Sequence, residues 1–139
     1  NLQAGVENAS NILNGFLDQQ LEQLGLDHSK LALVGFSQGT MTGLHVALRR
    51  TPQIAALVGF SGSLLAPERL ASELKSKPPV CLIHGDSDDV VPYAALAAAK
   101  QALSAAGVPV HAHSRPMLGH SIDMEGLKIA AEFLVKSFS

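Results

Sequence analysis

The residues best suited to chemistry lie in three short segments. The first is Gly35-Phe36-Ser37-Gln38-Gly39, a G-x-S-x-G between an apolar run and a helical stretch. A tight strand-to-helix turn leaves little room around its serine, so small residues two positions to either side relieve backbone contacts. The Ser37 hydroxyl would then stand at a helix N-terminus, where the backbone N–H of Gln38 can face a developing oxyanion. Serine is a poor nucleophile near neutral pH. It needs a base, and the base needs an orienting carboxylate. The second segment, His84-Gly85-Asp86-Ser87-Asp88-Asp89-Val90-Val91-Pro92, offers Asp86, Asp88 and Asp89 for that role. The third, Leu118-Gly119-His120-Ser121, offers the imidazole. The chemistry such a set supports is acyl transfer: His120 takes the Ser37 proton during attack on a carbonyl and later gives it to the leaving group.

Other reactive residues read more plainly. Gly59-Phe60-Ser61-Gly62-Ser63 repeats much of the first segment, but Ser63 replaces the second glycine and no helix follows at once. Ser61 is therefore expected to be a loop residue. His111 and His113 share one strand face, a spacing a metal could use, but no carboxylate or cysteine completes a set. An exposed edge face is the expectation, and no metal site is called for. His84 is expected to hydrogen-bond its loop, and His28 and His45 to be surface or packing residues.

The three segments need a scaffold that brings them together. Val6, Leu13, Phe16, Leu17, Leu21 and Leu24 fall at helical spacing, with Gly25 as a stop. Leu31 to Val34 reads as a strand buried on both faces. A helix follows at once through Met41, Leu44 and Leu48, with Arg49-Arg50 in its last turn. Ile54–Phe60, Val80–Ile83 and Val108–His113 predict three more strands, the last alternating as at a sheet edge. Pro67–Leu74 predicts a short helix, Ala94–Ala106 a longer one, and Asp123 can cap a last helix with Leu127, Ala130, Ala131 and Leu134 inward. No internal repeat or linker is read. Alternating strands and helices predict an α/β domain over residues 1–139, with a mostly parallel sheet covered on both faces. Its chemistry is expected at the carboxyl ends of the strands, where the three loops meet.

With these segments in hand, the chain resembles the phospholipase/carboxylesterase family, which includes acyl-protein thioesterases. The resemblance rests on Gly35 to Gly39, His84 to Pro92 and Leu118-Gly119-His120-Ser121-Ile122-Asp123, and it runs along almost the whole chain. It implies an α/β-hydrolase-type fold, hydrolysis of carboxylic esters or thioesters of small to medium acyl groups, and no metal or cofactor. It also implies Ser37 as nucleophile, His120 as base and, by register alone, Asp88 rather than Asp86 or Asp89 as acid. Many relatives carry proline where this chain has Asp89. The equivalent loop in relatives implies that Leu64 and Leu65 line an acyl pocket; Met117, just before the base loop, is a further candidate substrate contact. Relatives are longer at the N-terminus, so the first strands and a second oxyanion donor are expected to come from an N-terminal segment of the same protein. A homodimer pairing the exposed edge is the lesser expectation. The alternatives are a lysophospholipase or other serine hydrolase on this fold, or an inactive acyl-binding fragment.

Bulk properties narrow the remaining classes. The chain has 139 residues, nearly half of them hydrophobic, enough for one core. A net charge of −2 gives no basic field for nucleic acid. No apolar run approaches the roughly 20 residues that span a bilayer. The single cysteine, Cys81, lies in an apolar run and reads as a buried thiol. Nothing requires an oxidising compartment, and a cytoplasmic setting is expected.

Overall fold

A computed structural model describes residues 1–139. Its four strands, β1 (Ala32–Phe36), β2 (Ala56–Phe60), β3 (Val80–Gly85) and β4 (Val110–Arg115), are all parallel and lie in the order β1-β2-β3-β4. The helices are α1 (Leu2–Leu24), α2 (Gln38–Arg49), α3 (Leu70–Glu73), α4 (Ala94–Ala105) and α5 (Met124–Ser137). Parallel neighbours require crossovers, and these helices with their loops provide them. The short helix expected over 67–74 forms as a 3-10 turn at Pro67–Arg69 running into α3.

Alternation along the strands sorts the core into two layers. Leu57 on β2 and Val80 and Leu82 on β3 pack with Leu44 and Leu48 of α2 and Leu96 and Leu103 of α4. Val58, Phe60, Cys81 and Ile83 point the other way, against Ala130 of α5. Each fully buried Leu, Ile, Val or Phe contributes roughly 1.5–3 kcal/mol relative to exposure, so both layers hold the sheet. Burial pushes the Cys81 thiol up to about 11, which makes it a packing residue rather than a nucleophile.

Helix ends follow their sequence signals. Gly25 closes α1 in the left-handed conformation, with its N–H on the Glu22 and Leu21 carbonyls. Asp123 caps α5 by accepting from the Gly126 N–H. Arg50 departs from its expected place as a cation in the last turn of α2. It sits just past the helix, almost fully buried, where it donates to the Asn14 side chain and pairs with Asp18 of α1. The buried guanidinium thus ties the two helices together.

Two expectations need correction. The first strand is not buried on both faces, because β1 lies at the edge of the sheet and leaves Val34 58% exposed. The chain also carries a short internal repeat: residues 32–37 and 56–61 are both Ala-Leu-Val-Gly-Phe-Ser. The two copies pair in parallel without offset, Ala32 beside Ala56 through Phe36 beside Phe60.

Candidate active site

The carboxyl ends of β1, β3 and β4 bring the three segments together. Ser37 follows β1 directly, with φ 56° and ψ −117°, a conformation L-residues rarely adopt. Its N–H donates to the Phe60 carbonyl at 2.9 Å, and α2 begins at the next residue. Gly35 makes this turn possible: a Cβ there would lie 2.5 Å from the Gly39 carbonyl. Gly39 does not share that constraint, since a Cβ on it would meet nothing within 4 Å. The close approach is relieved by the glycine before the serine alone. Gln38 is the first residue of α2, where backbone N–H groups have no intrahelical acceptor.

The acid and base loops are joined by a second close approach. Ser87 N–H donates to the Leu118 carbonyl at 2.9 Å, and a Cβ on Gly85 would stand 2.1 Å from that same oxygen. Only glycine fits there, and its absence of a side chain lets the segment after β4 lie on the end of β3.

Across this junction His120 Nε2 lies 3.0 Å from Ser37 Oγ, and His120 Nδ1 lies 2.8 Å from Asp88 Oδ2. Opposite a carboxylate, Nδ1 carries the proton, so the Nε2 lone pair faces the hydroxyl and Ser37 donates to it. The Asp88 side chain is fully buried and the His120 side chain 17% exposed. Asp88 Oδ1 accepts from the Val90 and Val91 N–H groups, both at 2.9 Å. Burial pushes the Asp88 carboxyl up, but the His120 hydrogen bond and the two amides outweigh it and hold the group below its usual value.

The other two carboxylates stand apart. Asp86 and Asp89 are exposed, and Asp86 accepts from the Met117 N–H at 2.8 Å, so it organises the base loop. Of the three, only Asp88 is both buried and within hydrogen-bond distance of His120.

A cleft of about 590 Å³ opens beside Ser37, lined by Gln38, Met41, Val90, Val91, Ala94 and Ala98 among others. The pocket residues expected from the sequence take other places. Leu64 packs against the main core, and Leu65 packs with Val6, Met41 and Val91 behind the cleft wall. Met117 is 91% exposed and does not line the cleft. Sequence reading passes over the alanines, although Ala94 and Ala98 carried a signal: an i, i+4 pair of small residues on one helix face.

Two more residues touch the relay. The Phe36 ring lies 4.8 Å from the His120 ring, between centroids. His84, fully buried, reaches Val91 O at 3.0 Å and Asp88 Oδ2 at 3.3 Å through Nε2. Its loop bond is as expected from the sequence; the contact with Asp88 depends on a turn that residue spacing does not reveal. Ser61 is also a loop residue, buried after β2 and 3.4 Å from the Ser121 carbonyl. His111 and His113 lie on the edge strand β4, and no group of three potential metal ligands forms.

Comparison with known proteins gives the family and the fold. Residues 1–138 match the family model described as Phospholipase/Carboxylesterase. Acyl-protein thioesterase 1 of Neurospora crassa is 28% identical over 96% of the chain and 56% of its own length. Esterase YpfH of Escherichia coli is 32% identical over 81% of the chain and 47% of its own length. The chain therefore spans about half the length of these relatives. Among solved structures, esterase PE8 superposes with a TM-score of 0.93 and 43% identity, over 96% of this chain and 62% of that one. The α/β-hydrolase fold and the family match along nearly the full sequence lead to one conclusion: the chain belongs to the phospholipase/carboxylesterase family.

Proposed function

We propose that the chain carries the catalytic relay of a serine hydrolase that cleaves carboxylic esters or thioesters of small to medium acyl groups. The observation that carries this reading is the continuous line from Ser37 Oγ through the His120 ring to Asp88, at 3.0 and 2.8 Å. In the proposed cycle Ser37 Oγ attacks the acyl carbon while its proton moves to His120 Nε2. Asp88 holds the imidazole tautomer and stabilises the imidazolium. The tetrahedral oxyanion faces the start of α2, with the Gln38 N–H as donor. The intermediate collapses, and the alcohol or thiol leaves with the proton from His120. Water then attacks the acyl-enzyme and gives its proton to His120, which passes it to the departing Ser37 Oγ as the second intermediate collapses to the carboxylic acid and free enzyme. No step calls for a metal or cofactor.

The apolar cleft beside Ser37 supports an acyl substrate, with Ala94 and Ala98 leaving room for its chain. The Neurospora relative is an acyl-protein thioesterase and the Escherichia relative an esterase, which supports both leaving-group classes. No helix is long and apolar enough to cross a membrane. The proposal includes a cytoplasmic setting, where Cys81 would stay reduced.

The test is a panel of p-nitrophenyl esters of graded chain length beside acyl thioesters, with intact mass recorded during turnover. The expected result is release of alcohol and thiol with a transient mass increase equal to one acyl group. Folded protein that hydrolyses none of these and forms no adduct would overturn the reading.

A further inference from the structure

The proposed mechanism leaves one buried imidazole unused. His84 is the penultimate residue of β3, before Gly85, and only 2% of it is accessible to solvent. Its Nε2 faces two groups, the Val91 carbonyl at 3.0 Å and Asp88 Oδ2 at 3.3 Å. Both are acceptors, so Nε2 must carry a hydrogen, and that hydrogen is shared between them. The Tyr93 ring stands edge-on, 6.1 Å away between centroids. Asp88 is thus held on both oxygens: Oδ1 by the Val90 and Val91 amides, Oδ2 by two imidazoles.

From this geometry we infer that His84 is a positioning residue for the relay, fixing the Asp88 carboxylate plane so that Oδ2 meets His120 Nδ1. The inference rests on the proposed function for its kinetic consequence, but not for its geometric one. Without the His84 N–H, the carboxylate keeps only its Oδ1 contacts and can swing about them, while Val91 O loses a donor in a water-excluded place. The imidazole of His120 would then lose a fixed partner without losing contact with substrate. The expected signature is a lower kcat at unchanged KM, because the His84 side chain stands behind Asp88 and away from the cleft.

Two substitutions of similar polarity separate this role from general packing. In His84→Gln the amide nitrogen can occupy the place of Nε2; in His84→Asn the shorter side chain reaches only the place of Nδ1. Ester hydrolysis is measured together with the downfield proton resonance of the His120 Nδ1–H, identified by its loss in His120→Gln. His84→Gln is expected to keep the resonance and stay within about 3-fold of the parent kcat. His84→Asn is expected to lose or broaden it and fall about 10- to 100-fold in kcat at unchanged KM, the scale of a small misplacement in a relay. The inference is overturned if the two variants behave alike, or if His84→Asn matches the parent. A parent protein with the resonance but no hydrolysis would count against the proposed function and leave the resonance to decide the role of His84.

Discussion

Two stretches of this chain have the same six residues and lie side by side, yet their serines have different surroundings. Ala32–Ser37 and Ala56–Ser61 pair in register, and both serines adopt positive φ, 56° and 52°. Each serine N–H donates to the next strand, Ser37 to Phe60 O and Ser61 to Ile83 O, both at 2.9 Å. The copies differ in their place in the sheet and in the element that each one enters. The first copy lies at the sheet edge and runs straight into α2, which leaves Ser37 open to the cleft and 3.0 Å from His120. The second lies in the centre and runs into a loop, with Gly62 held under Thr40: a Cβ at 62 would fall 2.5 Å from Thr40 Cβ. Ser61 is left 1% exposed, without an imidazole partner. Residue type and positive φ are shared, so sheet position and the groups around each serine separate a candidate nucleophile from a buried hydroxyl.

The comparison can be broken most decisively at the serines. Ser37→Ala is expected to lower ester hydrolysis by roughly 10⁴- to 10⁶-fold, whereas Ser61→Ala should stay within about 10-fold, as measured by initial rates. Comparable losses in both would mean that the neighbours do not divide their roles.

The paired glycines give the next largest contrast. A Cβ on Gly35 meets backbone at 2.5 Å; one on Gly59 meets the Thr40 methyl at the same distance. Gly35→Ala is expected to destabilise by about 3 kcal/mol or more in urea unfolding, with no side chain able to give way. Gly59→Ala should cost about 1–3 kcal/mol, and most of that should return in the double variant with Thr40→Ser, which removes the methyl and keeps the hydroxyl on Phe60 O. The paired valines sharpen the same point more gently. Val58 is fully buried, and Val58→Ala should cost about 2 kcal/mol, while Val34→Ala at the edge should stay within about 0.5 kcal/mol.

Much of this arrangement was legible in the residues. The periodicity of Val6–Leu24, the alanine-rich stretch Ala94–Ala106, the stop at Gly25, the N-cap at Asp123 and the unbroken apolar runs are local signals, and local signals place elements. The convergence of the three loops was legible because the order of loops along a parallel sheet fixes which ends can meet. Which of the three aspartates faces His120 was not written in residue type and rested on the family register alone. The features that stayed hidden depend on distances across the fold. Val34 and Val58 stand in the same residues before and after them, so their local sequence does not tell burial at the centre from exposure at the edge; the open edge at the first strand was implied only by the resemblance. The unequal need for Gly35 and Gly39, the reach of His84 to Asp88, and the cleft wall of Ala94 and Ala98 in place of Leu64, Leu65 and Met117 arise from packing that no spacing records.

A smaller effect concerns pH. Asp88 is held below its usual value of 3.8, against its burial, by His120 and the two amides. A depressed carboxylate gives stability that is full above its ordinary pKa and is lost as pH falls through the folded value. The parent should therefore lose stability as pH falls below about 5 more steeply than Asp88→Asn, in urea unfolding followed through the acid range. Equal slopes would mean that Asp88 is not so held.

The division between the two serines is tested most directly by a fluorophosphonate, which bonds only to an activated hydroxyl, followed by peptide mass mapping of both copies in the same sample. The account predicts one adduct per chain, on Ser37, with Ser61 unmodified and labelling abolished in His120→Gln. An adduct on Ser61, or labelling of Ser37 that persists unchanged without the imidazole, would contradict it.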